Sequence, residues 1–224
     1  MINEKEFYVL TTAESSEQPL SQRNFARKTG YSIGTINSLV ASLEERGLLS
    51  NGKITEKGLD CLSPYRVKRI VFIAAGFGTR LVPITLNTPK PLVRVHGKRI
   101  IDTMLDAAVE AGIEEIIIVR GYLSEQFDQL LYKYPNIKFI ENPAYNETNN
   151  IGSAMCARFH FENSYICEAD LIVKNRKLIS KYQYSSNYCG VKCERTDDWC
   201  LHVTKNRITG VSVGGLDSYR MVGI

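Results

Sequence analysis

The sequence predicts an α/β protein in two pieces, a small α+β piece followed by a larger one built on a mostly parallel sheet. Three observations predict this. From Arg69 onward, short apolar runs alternate with helix-period segments of about ten residues, the pattern of strands joined by crossover helices. Residues up to about 62 instead carry capped helical segments and a single Asn-Gly hairpin signal. Between them stands Ser63-Pro64-Tyr65, where proline disfavours helix in the residue before it. The expected pieces are residues 1–64 and 67–224.

In the first piece, Phe7 and Leu10 mark an opening helix. Ser21 caps a helix running to Lys28, because its hydroxyl accepts from the unpaired amides of the first turn. Thr29-Gly30-Tyr31 breaks the chain, and Ser32 caps a second helix whose Ile33, Ile36, Val40 and Leu43 share one apolar face. Gly47 ends it. Leu48–Ile54 reads as two short strands around Asn51-Gly52, and Thr55 opens a last helix.

In the second piece, Arg69–Ala75 is a continuous apolar run ending in glycines, as in a buried parallel strand. Ile100–Ala111 is a helix with Ile101, Met104, Leu105, Ala108 and Val109 on one face, closed by Gly112. Strand Glu115–Val119, helix Ser124–Tyr132, strand Ile137–Ile140, a helix near Ile151–Arg158 and strand Tyr165–Cys167 follow. The tail reads as four short strands: Tyr188–Cys193, Trp199–Val203, Ile208–Val213 and Tyr219–Ile224.

Helix, turn, helix and β wing over residues 5–62 resemble the winged helix-turn-helix domain of MarR-like regulators, chiefly through SLVASLEERGLLSNGKITEKG. That resemblance implies DNA binding through residues 21–58. However, the second helix offers Ser32, Thr35, Asn37 and Ser38 without charge, and phosphate contacts dominate DNA affinity. Residues 1–66 balance eight basic against eight acidic side chains. Homodimer contacts, or regulation of the neighbouring piece, remain open beside DNA binding.

The whole formal charge of +4 therefore falls in residues 67–224, a balance suited to small anionic substrates rather than to a nucleic-acid stripe. No apolar run approaches the roughly 20 residues that span a bilayer. MINEKEFYVL lacks the layout of a secretory signal, so a cytoplasmic location is expected, with no membrane partner. Cys61, Cys156, Cys167, Cys189, Cys193 and Cys200 lack CxxC spacing and read as reduced thiols. Cys189, Cys193, Cys200 and His202 lack zinc-finger spacing, and His96 reads as a turn residue.

The chemistry concentrates in Ala74-Ala75-Gly76-Phe77-Gly78-Thr79-Arg80, then Pro83, Thr85 and Thr88-Pro89-Lys90-Pro91-Leu92. A glycine loop after a buried strand points backbone amides above the sheet edge, and Gly76 and Gly78 let a phosphate approach the main chain. Arg80 and Lys90 supply fixed positive charge for a reacting phosphorus. Downstream, Glu168-Ala169-Asp170 follows a short strand, which places a carboxylate where open α/β sheets bind ligands. Mg²⁺ takes one or two such carboxylates together with substrate phosphates. Glu168 is either an outer partner or merely solvated. Gly121-Tyr122 ends another strand, and Thr148-Asn149-Asn150 opens a helix containing Ser153. Those asparagines suit both a helix cap and a nucleoside. Trp199, with Asp197, Asp198 and Glu194 nearby, suits a quaternary ammonium, or else packs beneath an acidic turn.

IAAGFGTRLVPITLNTPKPLVRVHGKRIID resembles the signature of sugar-phosphate nucleotidyltransferases. With NNIGSAM, YICEADLIVKN and RTDDWCLHV, the match over residues 67–224 is most similar to bacterial CTP:phosphocholine cytidylyltransferases. The resemblance implies a Rossmann-like fold and transfer of CMP from CTP to phosphocholine with release of pyrophosphate. Arg80 and Lys90 would be catalytic. Ala74, Ala75, Gly76, Phe77, Gly78, Thr79, Gly121, Tyr122, Thr148, Asn149, Asn150 and Ser153 would bind the nucleotide. Asp170 would hold Mg²⁺, and Trp199, Asp198 and Glu194 would line the choline pocket. The alternatives are a sugar- or polyol-phosphate acceptor, or a DNA-binding regulator with a nucleotidyltransferase-like sensor. Family members continue for some tens of residues beyond Met221-Val222-Gly223-Ile224, which reads as a strand in mid-course. A second metal carboxylate is expected in that part.

Overall fold

Side-chain caps begin the helices of the first piece where hydroxyls and an amide can satisfy unpaired amides. In the computed structural model, which describes residues 1–224, α1 (Glu4–Glu14) opens with a reciprocal box: Asn3 accepts from the Glu6 amide and Glu6 accepts from the Asn3 amide. Ser21 caps α2 (Gln22–Thr29) and Ser32 caps α3 (Ile33–Glu45). Strands β1 (Leu49–Ser50) and β2 (Lys53–Ile54) pair antiparallel around Asn51 and Gly52, both at positive φ, which matches the strand twist. Thr55 then caps α4 (Glu56–Leu62). Phe7, Leu10, Phe25, Ile36, Val40, Leu43 and Leu62 form the core of this unit. Ile33, expected on the same face, is exposed because it begins α3 and lies beyond the packed turns.

Contacts divide the chain into Met1–Arg66 with Tyr182–Ser185, and Val67–Lys181 with Ser186–Ile224. Residues 182–185 were expected within the second piece. They join the first unit because the Tyr184 ring stacks on Tyr65 at 5.5 Å and lies 5.4 Å from Phe7, while the Gln183 amide donates to the Tyr65 carbonyl.

The second unit is organised by β3 (Arg69–Ile73), whose alternate residues face opposite sides of a sheet. After it come the hairpin β4 (Arg94–Val95) and β5 (Lys98–Arg99), turning at His96 and Gly97. Then follow α5 (Asp102–Glu110), β6 (Glu115–Arg120), β7 (Ile137–Glu141), α6 (Asn150–Ala157) and β8 (Ser164–Glu168). The sheet order is β7-β6-β3-β8, and every pairing is parallel. Ile70 and Phe72 pack with Ile101, which precedes α5, and with Met104 and Leu105 of α5, whereas Val71 packs with Ala157 of α6. Helices thus cover both faces. The chain leaves β3 for β6 on one side, while β8 pairs on the other, so a topological switch point lies at the carboxyl ends of β3 and β8.

Three local expectations change. Ser124–Tyr132 forms 3-10 rather than α-helical turns. Val109 is exposed, because the buried arc of α5 runs from Ala107 through Met104 and Ala108 to Leu105 and leaves Val109 beyond its edge. The four short tail strands are fused into β9 (Gly190–Thr204) and β10 (Arg207–Met221). Their register shifts repeatedly, and Tyr219 pairs with both Lys192 and Leu201, so the end of β10 lies between two stretches of β9. No helix is long and apolar enough to cross a membrane.

Candidate functional site

The glycine loop leaves the carboxyl end of β3 and is pinned from one side. Gly78 adopts φ 65°, and a Cβ there would stand 3.0 Å from Thr85 Cγ2 and 3.1 Å from Lys90 Cβ. The Thr85 hydroxyl donates to the Gly78 carbonyl at 2.9 Å. The left-handed turn is thus set by two side chains that glycine alone can accommodate. Thr79–Leu81 then makes one 3-10 turn that carries Arg80, and Lys90–Leu92 makes another, in which Lys90 stands between Pro89 and Pro91.

Lys90 forms an ion pair with Asp170, which follows β8. Because Ile73 of β3 is in register with Glu168 of β8, the turn after β8 is carried alongside the loop after β3. Ala74, Gly76, Gly78, Thr79, Arg80, Lys90, Asn150, Glu168 and Asp170 line one cleft of about 210 Å³. Burial pushes the Glu168 carboxyl above its usual range, and the neighbouring Asp170 charge pushes the same way. Lys90 and Arg80 offset part of this, and Asp198 adds a further negative charge nearby. The cleft therefore combines two cations, two crowded carboxylates and glycine backbone, an arrangement suited to a phosphate chain bound with a cation.

Gly76 and Asn150 also border a second cavity of about 470 Å³, lined with Ala75, Phe77, Tyr145, Thr148, Asn149, Ile151 and Ser153. Phe77 lies 5.0 Å from the Tyr122 ring and 5.4 Å from Tyr145, so one wall is aromatic. Tyr122 itself donates to the Leu86 carbonyl, and its amide donates to Ala75. Gly121 is the residue that admits Tyr145: a Cβ there would approach Tyr145 Cβ at 2.6 Å. Asn149 caps α6 by accepting from the Ile151 amide. Capping and lining a cavity are thus combined in this one side chain. Tyr145 and Asn142 carry no motif and were missed from sequence, as was the work of Thr85. The only available signal was that Tyr145 and Asn142 precede the asparagine run within one loop.

Trp199, Asp198 and Glu194 lie on β9 and do not line either cavity. Trp199 is 54% exposed and pairs across the hairpin with Val213, without an aromatic cage around it. Asp198 accepts from the Trp199 amide and reaches the site only through its charge on Glu168. His202 shares a hydrogen bond with Ser212, and the cysteines are free thiols.

The family model described as Nucleotidyl transferase matches residues 69–185. The chain is 40% identical over 158 residues to the 2-aminoethylphosphonate cytidylyltransferase of Lancefieldella rimae, covering 69% of this chain and 64% of that protein. It is 39% identical over 136 residues to the choline-phosphate cytidylyltransferase of Streptococcus pneumoniae, covering 59% and 58%. The solved structure of CTP:phosphocholine cytidylyltransferase from Streptococcus pneumoniae superposes with a TM-score of 0.64 at 36% identity, over 70% of this chain and 68% of that one. The inositol-1-phosphate CTP transferase of T. maritima shares the fold, with a TM-score of 0.56 at 17% identity over 70% of this chain and 69% of that one. The chain spans about six-tenths of the length of these first two curated relatives. With the loop, the paired lysine and aspartate and the switch-point cleft in place, the chain belongs to the nucleotidyl transferase family.

Proposed function

We propose that this protein transfers CMP from CTP to a small phosphate or phosphonate bearing a cationic amine, phosphocholine foremost, and releases pyrophosphate. The observation that carries this reading is the meeting of Lys90 and Asp170 beside the glycine loop, in a cleft that shares Gly76 and Asn150 with an aromatic-walled cavity. The cavity suits a nucleoside and the cleft its phosphates. An ionised oxygen of the acceptor forms a bond to the α-phosphorus as the bond to pyrophosphate breaks, so no general base is required. The loop amides and Arg80 orient the triphosphate, and Lys90 holds positive charge against it. The crowded pair Asp170 and Glu168 fits Mg²⁺, which prefers oxygen donors and few carboxylates. Bound there, the ion would offset phosphate charge. Kinship with cytidylyltransferases for phosphocholine and 2-aminoethylphosphonate supports both the nucleotide and the zwitterionic acceptor. Trp199, Asp198 and Glu194 would meet the amine if β9 approaches the bound acceptor.

A pyrophosphate-release assay tests this with CTP, UTP, GTP and dTTP, each paired with phosphocholine, 2-aminoethylphosphonate or a sugar 1-phosphate. Turnover with CTP and an amine-bearing acceptor is expected. Turnover confined to sugar phosphates would reject the acceptor, and indifference to the nucleotide would reject CTP.

A second reading concerns the first unit, which we take as a winged helix that binds DNA. Residues 21–58 hold six basic side chains against three acidic, so the neutrality of this unit conceals a positive segment. The exposed Ser32 caps α3 within it, and the exposed Asn37 and Ser38 lie on that helix. Salt-dependent DNA binding by the full chain, weakened by Arg23→Ala and Lys53→Ala, is expected. Equal affinity across salt concentrations would reject it.

A further inference from the structure

The hydrogen bonds around Ser153 impose a direction on its hydroxyl. Asn142 is only 3% exposed, and its Oδ1 accepts from the Ala144 amide at 3.1 Å. A backbone N–H can only donate, so that contact identifies the amide oxygen and leaves Nδ2 at the other end. Nδ2 meets Ser153 Oγ at 3.0 Å and can only donate to it. Ser153 Oγ therefore accepts from Asn142, and its own proton turns elsewhere. Ser153 is itself buried and lines the 470 Å³ cavity. Asn149, on the same lining, has its Oδ1 engaged by the Ile151 amide, so it too offers a donor.

We propose that Asn142 is a positioning residue that makes Ser153 a hydrogen-bond donor into the cavity, where it selects a cytosine edge over a uracil edge. This rests on the nucleotide reading above. The Watson–Crick edge of cytosine presents adjacent acceptors at O2 and N3, which the Ser153 hydroxyl and the Asn149 side-chain amide can serve together. Uracil instead places N3–H between its acceptors O2 and O4 and cannot satisfy two adjacent donors. An unpaired polar contact in a buried site weakens binding roughly five- to a hundredfold. The asparagine never touches the nucleotide. It acts by occupying one lone pair of the serine oxygen with its own N–H, so that the serine proton is left for the cavity.

Asn142→Asp inverts this relay, because a carboxylate accepts and so draws the serine proton toward itself. The test measures CTP and UTP dissociation constants by calorimetry on the full chain and its variants. Wild type is expected to favour CTP by about tenfold or more, and Asn142→Asp to shrink that ratio about fivefold or more, or to reverse it. Ser153→Ala, a milder change that guards against failure of the aspartate variant to fold, should also abolish the preference. The ratio is the readout because partial unfolding lowers both affinities together. An unchanged ratio in Ser153→Ala, or in a folded Asn142→Asp, with CTP still bound, overturns this inference and leaves the proposed function standing. Failure of the wild type to bind any nucleotide overturns both.

Discussion

Thr85 donates its hydroxyl to the Gly78 carbonyl at 2.9 Å, and the same residue's methyl faces the place where a Gly78 Cβ would stand. One buried side chain thus supplies both a hydrogen bond and a steric boundary to the glycine loop.

Thr85→Val keeps the shape and removes one of two donors to the Gly78 carbonyl, which retains the Leu81 amide. It should lower stability by about 0.5–1.5 kcal/mol and raise KM for the nucleotide severalfold, with Thr85→Ser restoring most of the KM. Steady-state kinetics with a denaturation series check this. A Thr85→Val enzyme with wild-type KM would show that the loop holds its position without the bond.

Lys90→Ala and Asp170→Ala should each reduce pyrophosphate release roughly a hundredfold or more. Because the two side chains are paired, the double variant should be little worse than either single one. Multiplicative losses would mean that the residues act independently and that their pairing is incidental.

Gly121→Ala forces a methyl to within 2.6 Å of Tyr145 Cβ. Either the backbone or the tyrosine must shift, at a cost of about 1–3 kcal/mol. A fall in melting temperature together with weaker nucleotide binding is expected, since Tyr145 walls the larger cavity. Lost stability with unchanged nucleotide affinity would remove Tyr145 from the binding surface.

Acid should weaken the second unit. The Lys138 hydrogen bond lowers the Glu115 carboxyl below its usual range, against the effect of burial, and Arg69 adds to it. Burial raises Asp106, yet bonds from Lys133 and Tyr134 and the charge of Arg176 leave it lowered overall. A carboxylate lowered in the folded state contributes stability that is present above its unfolded pKa and is lost as pH falls through the folded value. Denaturant midpoints should therefore drop from pH 5 toward pH 3, with a shallower drop in Glu115→Gln. Parallel slopes for the two proteins would contradict this role for Glu115.

Much of the local structure was legible. Ser21, Ser32 and Thr55 cap helices where their hydroxyls predict it, and Asn51-Gly52 turns the hairpin. These signals act within three or four residues, so no distant partner is needed to read them. The parallel sheet followed from apolar runs interrupted by helix periods, because crossovers leave few other arrangements. The glycine loop and Glu168-Ala169-Asp170 were legible as chemistry, since their residue types sit just after strands. The 3-10 character of Ser124–Tyr132 and the fused tail strands were not, because packing and pairing set them.

By itself, then, the sequence determined the elements, their order and the charged groups available at strand ends. Only the tertiary structure decided that Lys90 meets Asp170, that Asn142 donates to Ser153 and that Tyr184 joins Tyr65. The physical reason is range. Caps and turns are satisfied by near neighbours along the chain, whereas these contacts exist only once β8 has paired with β3, the loop from 142 has met α6 and residues 182–185 have joined the first unit.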